Sequence, residues 1–477
     1  MSHSGLAESR SNQEFTRQVV STLPPQWAAS AIFYQIFPDR FCNGDPANDP
    51  PGRVPWNAQP TFDNFFGGDF QGIISKIPYL QQLGVTALYL NPIFDAPSNH
   101  KYDTRDYLRI APEFGDIRLF KSMIHQLHQA GIRIIIDGVF NHTGDHFWAF
   151  HDVRKRGEAS RFRDWYHFHG FPVSHSPSPN YECWWNFGTL PKLNHQNPEV
   201  VIYLLKAIAF WTSMGIDGWR LDVPNEVGMD FWRAFRRLVK TINPEAFIVG
   251  EIWDEPFSWL NGDSCDAVMN YRWREAVIRY FACNQTTAEQ FRLELLNNRG
   301  SLSWEYVLSA YNLLGSHDTP RFLTICNEDR RKFLSALAFQ FTYPGIPALY
   351  YGDEIGLTGG KDPDCRKTMR WNESEQDRLI LKETQTLVKL RKQYQALQTG
   401  AYHDLHLGDG IFGFVRSGKN EQILACFNMT HECGSIETPH EWNNGWEPIY
   451  AVGCSLSGLN YPEIPPCGVR IFKRGKS

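Results

Sequence analysis

Short apolar runs alternate with helix-like segments along most of the chain, and this alternation is the feature that most limits the possible folds. The runs that predict strands are Ala31–Phe37, Thr86–Leu90, Arg133–Val139, Gly218–Val223, Phe247–Glu251, Ala267–Tyr271, Ser309–Leu314 and Ala348–Gly352. The segments that predict helices are Gly72–Leu83, Leu119–Ala130, Ile202–Met214, Phe231–Thr241, residues 286–297, residues 328–342 and Gln376–Leu397. A strand–helix–strand unit repeated eight times favours parallel pairing. We therefore predict an α/β fold, a closed (β/α)8 TIM barrel, with an open doubly wound sheet as the alternative.

Three regions depart from the alternation and define the predicted domain boundaries. The barrel is assigned to residues 31–397, after a polar leader at residues 1–30. Within the barrel, residues 143–197 form a connection far longer than the usual two to six residues or so, which predicts an inserted subdomain over the carboxyl end of the barrel. Residues 398–477 change to short alternating runs broken by Gly, Asn and Pro, which predicts a C-terminal antiparallel β-sandwich domain.

Composition narrows the partners that such a chain can have. The net charge is −5, and no long run of either sign occurs, which argues against nucleic acid or a membrane surface as the main partner. The ten cysteines contain no CxxC pair, and the leader has no apolar core of a signal peptide, so we expect a cytoplasmic protein. The 16 tryptophans are typical either of a large core or of a cleft that stacks sugar rings.

Charged residues in the fourth predicted strand are the first indication of function. Arg220 and Asp222 lie two residues apart, so their side chains point to the same side of the strand. A parallel strand covered on both faces is normally apolar. One interpretation is a buried ion pair that only fixes the register of the strand. The other is an active site, because barrel active sites form at the carboxyl ends of the strands.

Other strands end in residues that suit the same site. His142 follows the third strand, Glu251 ends the fifth, and His317 and Asp318 follow the seventh. Two carboxylates with a flanking arginine suit cleavage of a glycosidic bond. Asp222 would be the ionised nucleophile, its pKa lowered by the neighbouring arginine.

Glu251 would be the proton donor in such a reaction. Its neighbours Ile252 and Trp253 provide an apolar surrounding, which raises the pKa of a carboxyl group. A separation of about 5–5.5 Å between the two carboxylates would indicate retention of anomeric configuration through a covalent intermediate.

Four segments together resemble the α-amylase family of retaining glycoside hydrolases, glycoside hydrolase family 13. They are Asp137–His142, Gly218–Val223, Glu251–Trp253 and Ser316–Asp318. The resemblance implies that Asp222 is the nucleophile, Glu251 the acid/base and Asp318 a third carboxylate that binds and distorts the sugar. It implies that Arg220, His142 and His317 hold the cleaved glucose unit, that Tyr102 stacks beneath it, and that His100 contacts it.

Finer markers resemble the branch of neopullulanases, cyclomaltodextrinases and maltogenic amylases. These markers are Leu190–Asn194, Val223–Val227, Ser98–Thr104 and Asp362–Arg366. Leu190 and Pro224 stand where that branch usually has methionine and alanine. The branch typically carries an extra N-terminal β domain, and we expect none here because only about 30 residues precede the first strand.

The resemblance leaves the substrate and the reaction type open among several alternatives. The substrate would be an α-glucan or maltooligosaccharide that is linear, cyclic or branched, cleaved at α-1,4 and perhaps at α-1,6 links. An α-glucosidase or transglycosylase of the same family is the alternative within the class. A catalytically inactive sugar-binding relative is the alternative outside it, although such relatives lose carboxylates that this chain keeps.

Three lesser sites have two interpretations each. Asn43, Asp45, Asn48, Asp49, Gly67 and Asp69 supply hard oxygen ligands of the kind Ca²⁺ prefers, although the same residues are common in ordinary turns. The resemblance favours a structural Ca²⁺. Asp362 and Arg366 would contact the next sugar outward or form an ordinary loop ion pair. Trp253 would stack on an acceptor sugar or take part in packing.

Overall fold

Eight parallel strands close into a ring in the computed structural model, which describes residues 22–408, 410–436, 445–454 and 463–475. The strands are β1 (Phe33–Ile36), β2 (Ala87–Leu90), β3 (Arg133–Gly138), β4 (Gly218–Leu221), β5 (Phe247–Gly250), β6 (Ala267–Val268), β7 (Tyr311–Leu313) and β8 (Ile346–Tyr350). Consecutive strands pair except β6 and β7, and β1 also pairs with β8 through Phe33 and Ala348. A single parallel bridge, Met269 to Tyr311, joins the end of β6 to β7. The predicted barrel is confirmed, because this bridge joins the two edge strands of the sheet in which β1 pairs with β8.

Helices cover the outside of the ring, and the clearest of them shows why the sequence folds this way. Ile117–Gln129 begins where the Asp116 carboxylate accepts the Leu119 N–H at 2.8 Å. Its buried residues recur at the spacing of one helix face: Phe120, Met123, Ile124 and Leu127. The α-helices are Pro38–Phe41, Phe70–Ser75, Ile77–Leu83, Ile117–Gln129, Trp148–Arg156, Pro198–Thr212, Met229–Ile242, Tyr271–Val277, Ala288–Arg299, Trp304–Ser309, Phe322–Ile325, Arg330–Thr342, Arg378–Gln393 and Gln395–Thr399. None of the helices in these described ranges is long and apolar enough to cross a bilayer.

Three details of the predicted strand–helix alternation are wrong. The helix expected at Gln376–Leu397 is two helices, Arg378–Gln393 and Gln395–Thr399, because Tyr394 between them is extended. The helix expected at Gly72–Leu83 is two helices that meet at Lys76, because Pro78 has no N–H with which to continue the first one. Between β5 and β6 there is only a short 3-10 turn, Phe257–Trp259. Pro256 and Gly262 lie in that connection, and both residue types favour turns over helix.

The amino-terminal end of the barrel is closed by the segment Gln26–Ser30. Trp27 packs edge-on against Phe247 with ring centroids 5.8 Å apart, and its Nε1 donates to the Glu245 carbonyl at 2.9 Å. The Arg133 guanidinium covers the Trp27 ring at 4.6 Å. This end is therefore filled, which leaves the carboxyl ends of the strands for a site.

Two further units extend from the barrel. The inserted segment holds the helix Trp148–Arg156 and is tied to the barrel by a bridge between His142 and Lys192. The C-terminal part is an antiparallel sheet of β9 (Ala401–His406), β10 (Ile411–Ser417), β11 (Glu421–Asn428), β12 (Glu447–Val452) and β13 (Gly468–Gly475), in the order β9-β10-β11-β13-β12. Two smaller sheets each pair two short strands, Phe94–Asp95 with Asp106–Ile110 and Gly434–Ser435 with Glu463–Ile464. Phe339 packs against Phe412 and Phe427 of the C-terminal sheet at 5.9 and 5.6 Å.

Candidate active site

Arg220 lies at the centre of a buried cluster of carboxylates at the carboxyl ends of the barrel strands. The side chain is only 1% exposed. Its Nη1 lies 2.9 Å from Asp137 and 2.9 Å from Asp222, and its Nη2 lies 2.8 Å from Glu251. Trp219, the neighbour in the strand, points the other way and donates to Thr212 on the outer helix. Arg220 therefore pairs with three acids from three strands, which is not the single ion pair expected if its only role were to fix the register of the strand.

Glu251 is held by two donors in addition to the arginine. The Val223 N–H donates to Oε2 and the Trp253 Nε1 donates to Oε1, both at 3.1 Å. Val223 has φ +34° and ψ +53°, a left-handed conformation that is unfavourable for a β-branched residue. The backbone strain at Val223 accompanies a hydrogen bond that orients the carboxylate.

Burial changes the protonation of the whole cluster. It raises the pKa of Asp222 well above the ordinary value; Arg220 opposes this, while Glu251 and Asp137 reinforce it. Arg220 lowers the pKa of Asp222 as predicted, but the net pKa is raised, because the arginine is shared and cannot balance three buried acids. Burial also raises the pKa of Glu251, as its apolar surroundings predicted, with Arg220 again opposing.

Tyr102, His317 and Asp318 form the next layer of the site. The Tyr102 and His317 rings are parallel, with centroids 5.5 Å apart and an interplanar angle of 5°. Tyr102 Oη lies 2.9 Å from Asp137 Oδ2, which links this layer to the arginine cluster. His317 Nε2 lies 3.1 Å from Asp318 Oδ2, and burial lowers the pKa of His317 well below its ordinary value. His317 is accordingly neutral.

The two other predicted histidines occupy different surroundings. His142 is 2% exposed, and its Nε2 has no hydrogen-bond partner among the described residues. Burial lowers the pKa of His142 to about 4, so a neutral ring presents an unsatisfied nitrogen, which fits a ligand hydroxyl. His100 accepts the Tyr102 N–H at Nδ1, 3.1 Å away, and stacks on the Tyr102 ring. Burial, and then Arg366, lowers the pKa of His100 to about 3, which suits this acceptor role.

Asp362, Arg366 and Trp253, each predicted either to contact a sugar or to have a purely structural role, lie at the edge of the cluster. Arg366 pairs with Asp362 at 3.0 Å, so the loop ion pair exists, and its Nη2 also lies 3.5 Å from Asp318. Its Nε donates to the His317 carbonyl at 2.8 Å. Trp253 stacks one face on Tyr271 at 3.5 Å and remains 45% exposed. Trp253 thus packs and also offers exposed aromatic surface.

Sequence reasoning missed the polar residues that connect these layers. Tyr89 donates to Asp137 Oδ2 at 2.6 Å. Gln35 Nε2 lies 2.9 Å from Asn91 Oδ1 and 2.9 Å from His317 Nδ1. The available signal was a glutamine in the otherwise apolar strand β1. Asp137 itself lay in a segment that carried the family resemblance but was not assigned a role.

The predicted calcium residues lie on one loop, and the donor set fits a hard cation in part. Asn43 Oδ1 and Asn48 Oδ1 are buried and have no hydrogen-bond partner in the described ranges. A Cβ at Gly67 would clash with Asp49 Oδ1, so this backbone lies directly against that carboxylate. The Asp69 carboxylate, in contrast, accepts backbone N–H groups from Gly44, Asp45 and Gly72. Orphaned amide oxygens beside a carboxylate are what Ca²⁺ would satisfy.

A closed parallel barrel with three buried acids around one arginine at its carboxyl end defines a barrel glycosidase. The family described as alpha amylase, catalytic domain, matches residues 35–399. The chain belongs to the α-amylase family.

Individual relatives agree with this assignment. The chain is 48% identical to neopullulanase 2 of Thermoactinomyces vulgaris, over 88% of this chain and 73% of that protein. It is 45% identical to a cyclomaltodextrinase of Geobacillus thermopakistaniensis, over 88% of this chain and 72% of that one. Among solved structures, the cyclic α-maltosyl-(1→6)-maltose hydrolase of Arthrobacter globiformis, in complex with cyclic α-maltosyl-(1→6)-maltose, superposes with a TM-score of 0.88. That match has 38% identity and covers 94% of this chain and all of that one.

Proposed function

We propose that the protein is a retaining glycoside hydrolase that cleaves α-1,4 and also α-1,6 glucosidic bonds in cyclic or linear maltooligosaccharides. The observation that carries the mechanism is the shared guanidinium of Arg220. Asp222 and Glu251 contact the two terminal nitrogens of this one group, at 2.9 and 2.8 Å. Such a bridge holds the two carboxylates close together, as the retaining geometry of about 5–5.5 Å requires.

In the first step Glu251 donates its proton to the glycosidic oxygen while Asp222 attacks the anomeric carbon. The bond to the leaving sugar breaks, its oxygen takes the proton, and a covalent glycosyl ester forms on Asp222. In the second step Glu251, now a carboxylate, removes a proton from water as the water attacks the same carbon. The ester bond breaks, and Asp222 and Glu251 return to their starting forms.

Burial raises the pKa of Glu251, the direction that a proton donor needs near neutral pH, but it raises that of Asp222 as well, so the family resemblance and not the pKa assigns the two roles. The Val223 N–H and the Trp253 Nε1 donate to the two oxygens of this group, which fixes its position. Trp253 offers its exposed aromatic surface to the leaving sugar.

The neighbouring layer would hold the glucose unit that is cleaved. Tyr102 provides an aromatic face, and His142 provides an unsatisfied nitrogen for a sugar hydroxyl. Asp318 is the most exposed of the three proposed catalytic acids, with 30% of its side chain accessible, so it would accept hydrogen bonds from the sugar. Arg366 and Asp362 lie beyond Asp318 and would reach the next unit.

The proposal also includes a structural Ca²⁺ site and a cellular location. The loop of Asn43, Asn48, Asp49 and Gly67 would hold a structural Ca²⁺, supported by the two orphaned amide oxygens. The cation would cross-link the loop through oxygen ligands. We also propose a cytoplasmic location, supported by ten cysteines that are all free.

The substrate class follows from the names of the relatives and is tested by products. The protein is incubated with cyclodextrins, pullulan, a cyclic α-1,6-containing maltotetrasaccharide and linear maltooligosaccharides, and products are resolved by chromatography. Proton NMR of the first-formed product should show the α-anomer before mutarotation. A β-anomer as first product would refute the retaining mechanism, and no cleavage of any member of the panel would refute the hydrolase assignment.

A further inference from the structure

Arg321 joins the two loops that carry one side of the candidate site. One loop follows β7 and contains His317 and Asp318, and the other follows β8 and contains Arg366. Arg321 lies at the end of the first loop, where the helix Phe322–Ile325 begins, and its side chain is fully buried. No step of the proposed reaction uses its guanidinium.

Four hydrogen bonds link Arg321 to the segment after β8. Its backbone N–H donates to the Gly359 carbonyl at 3.0 Å. Nε donates to the Cys365 carbonyl at 3.0 Å, and Nη1 donates to the Tyr351 carbonyl at 2.8 Å and to Asp353 Oδ1 at 2.7 Å. A guanidinium can hold several acceptors at once because its N–H groups project in one rigid plane. Three of these acceptors are backbone carbonyls, so Arg321 fixes the course of the main chain in the second loop.

The main chain held in this way leads directly into Arg366, since Cys365 precedes it. Arg366 Nε donates to the His317 carbonyl at 2.8 Å, and its Nη2 lies 3.5 Å from Asp318 Oδ1. A shift of the Cys365 carbonyl would therefore move the Arg366 guanidinium relative to Asp318. The contact between Arg321 and Cys365 thus sets how far apart these two sugar-binding groups lie.

Asp353 holds the Arg321 guanidinium in turn. Its carboxylate is 5% exposed and lies at the start of the turn Asp353–Ile355. Burial raises the pKa of Asp353 to about 6 against the pull of Arg321 and Arg274, so the carboxylate is ionised near neutral pH. The Tyr350 ring centroid lies 4.5 Å from the Arg321 guanidinium carbon. Removing one partner of a buried ion pair leaves the other charge uncompensated, so the two residues act together.

We propose that Arg321 and Asp353 are positioning residues that set the spacing between the subsite of the cleaved glucose unit and the subsite of the next sugar outward. Both side chains are buried, so they act through Cys365 and Arg366 and not on the sugar itself. The pair favours substrates that fill the outer subsite over substrates with a single glucosyl unit. This inference rests on the proposed function, in which Asp318 and Arg366 contact neighbouring sugars.

The test is a double-mutant cycle that measures kcat/KM for α-maltosyl fluoride. This substrate fills both subsites, and its leaving group needs no proton. Arg321→Lys keeps the charge but cannot hold Asp353 and the Cys365 carbonyl together. It should lower kcat/KM about three- to tenfold, the worth of one hydrogen bond between Arg366 and the outer sugar. In the Arg366→Ala background, which has already lost that contact, Arg321→Lys should have almost no further effect.

A second comparison uses α-glucosyl fluoride, which leaves the outer subsite empty. Arg321→Lys should hardly change kcat/KM for this substrate, so the preference for α-maltosyl over α-glucosyl fluoride should fall. Asp353→Asn is a milder variant, because the amide keeps an acceptor oxygen for Arg321. The same preference should fall in Asp353→Asn, and this variant carries the cycle if Arg321→Lys does not fold.

Arg391→Lys is the matched control for loss of a buried guanidinium. Arg391 is also fully buried and donates to backbone carbonyls, but near the amino-terminal end of the barrel, at Ala29, Gly345 and Leu397. Like Arg321→Lys, this variant should lower the melting temperature, because each loses buried hydrogen bonds. It should leave the preference between the two fluorides unchanged.

The inference is overturned if Arg321→Lys and Arg366→Ala lower kcat/KM for α-maltosyl fluoride independently, so that their effects multiply. It is also overturned if Arg321→Lys lowers kcat/KM equally for the two fluorides, or if Arg391→Lys changes the preference as much. Failure of the proposed function has a different signature: the parent protein itself would release no fluoride from α-maltosyl fluoride, which would overturn both proposals.

Discussion

Replacing Glu251 with glutamine should separate proton transfer from the attack of Asp222. Glutamine keeps the size of the side chain but cannot donate a proton to the glycosidic oxygen. A general acid typically contributes about 10²- to 10⁴-fold, which corresponds to about 2.7–5.5 kcal/mol of activation free energy. We expect kcat/KM for maltotriose to fall within or beyond this range, because Glu251 also acts in the second step.

The structure indicates that this loss would not come from misfolding. Glu251 accepts hydrogen bonds at both carboxylate oxygens, from Val223 and from Trp253. Glutamine retains one acceptor oxygen, so one of the two bonds is lost, at a cost of about 1 kcal/mol. The ion pair with Arg220 is lost too, but Asp137 and Asp222 still neutralise this arginine. Removing a buried charge whose pKa is already raised offsets part of this cost. The melting temperature should therefore change by only a few degrees.

The assay uses a substrate that needs no acid. Fluoride leaves without protonation, so Glu251→Gln should still release fluoride from α-maltosyl fluoride in a burst close to the enzyme concentration. The second step then stalls, and mass spectrometry of the intact protein should show a maltosyl adduct on Asp222. Azide, which needs no general base, should restore turnover and give an α-maltosyl azide. Equal loss of activity toward α-maltosyl fluoride and maltotriose, with no burst and no adduct, would refute the assignment of Glu251 as acid/base.

Three further predictions follow from the same cluster and the candidate calcium loop. Asp222→Asn should abolish reducing-sugar release from maltooligosaccharides while circular dichroism stays unchanged; unchanged turnover would contradict its role as nucleophile. Activity requires ionised Asp222, and burial raises its pKa above the ordinary value of about 4, so the rate should fall as the pH decreases through that raised value. In Asp137→Asn, which removes one neighbouring negative charge, this acidic limb of the pH–rate profile should move to lower pH; a limb that stays in place would show that Asp137 does not affect the pKa of the nucleophile. Chelation should lower the melting temperature by several degrees through loss of bound Ca²⁺, and Asn48→Ala should remove that dependence; a temperature insensitive to chelator would count against the site.

The strands were predictable because their positions follow from apolar runs, and the direction of Arg220 followed from the two-residue period of a strand. Each observed barrel strand lies within the predicted run or within two residues of it. The break in the helix predicted at Gly72–Leu83 is local as well, because Pro78 has no N–H with which to continue the preceding turn. These features are local, so the sequence around each residue suffices to decide them.

The polar network could not be predicted in the same way. Gln35 and His317 are far apart in sequence and meet only because β1 and β8, and β8 and β7, pair in one register. The net pKa of Asp222 also depends on burial depth and on how many acids share Arg220, and neither quantity is visible in a local segment. Long-range register and solvent exclusion are therefore the properties that needed the structure.

The single bridge between Met269 and Tyr311 is the ladder contact that joins β6 to β7. Strand β6 has two residues and two register pairs with β5, so the ring is least strongly hydrogen-bonded around it. Glu251 follows β5 and Asp318 follows β7, so the two acids lie on opposite sides of β6. Local opening of the ring should begin there, and amide hydrogen exchange at Met269 and Asn270 should be faster than in β3 and β4. Such opening would change the distance between Glu251 and Asp318 while Arg220 keeps Asp222 and Glu251 together, so the width of the sugar site can fluctuate without disturbing the reacting pair.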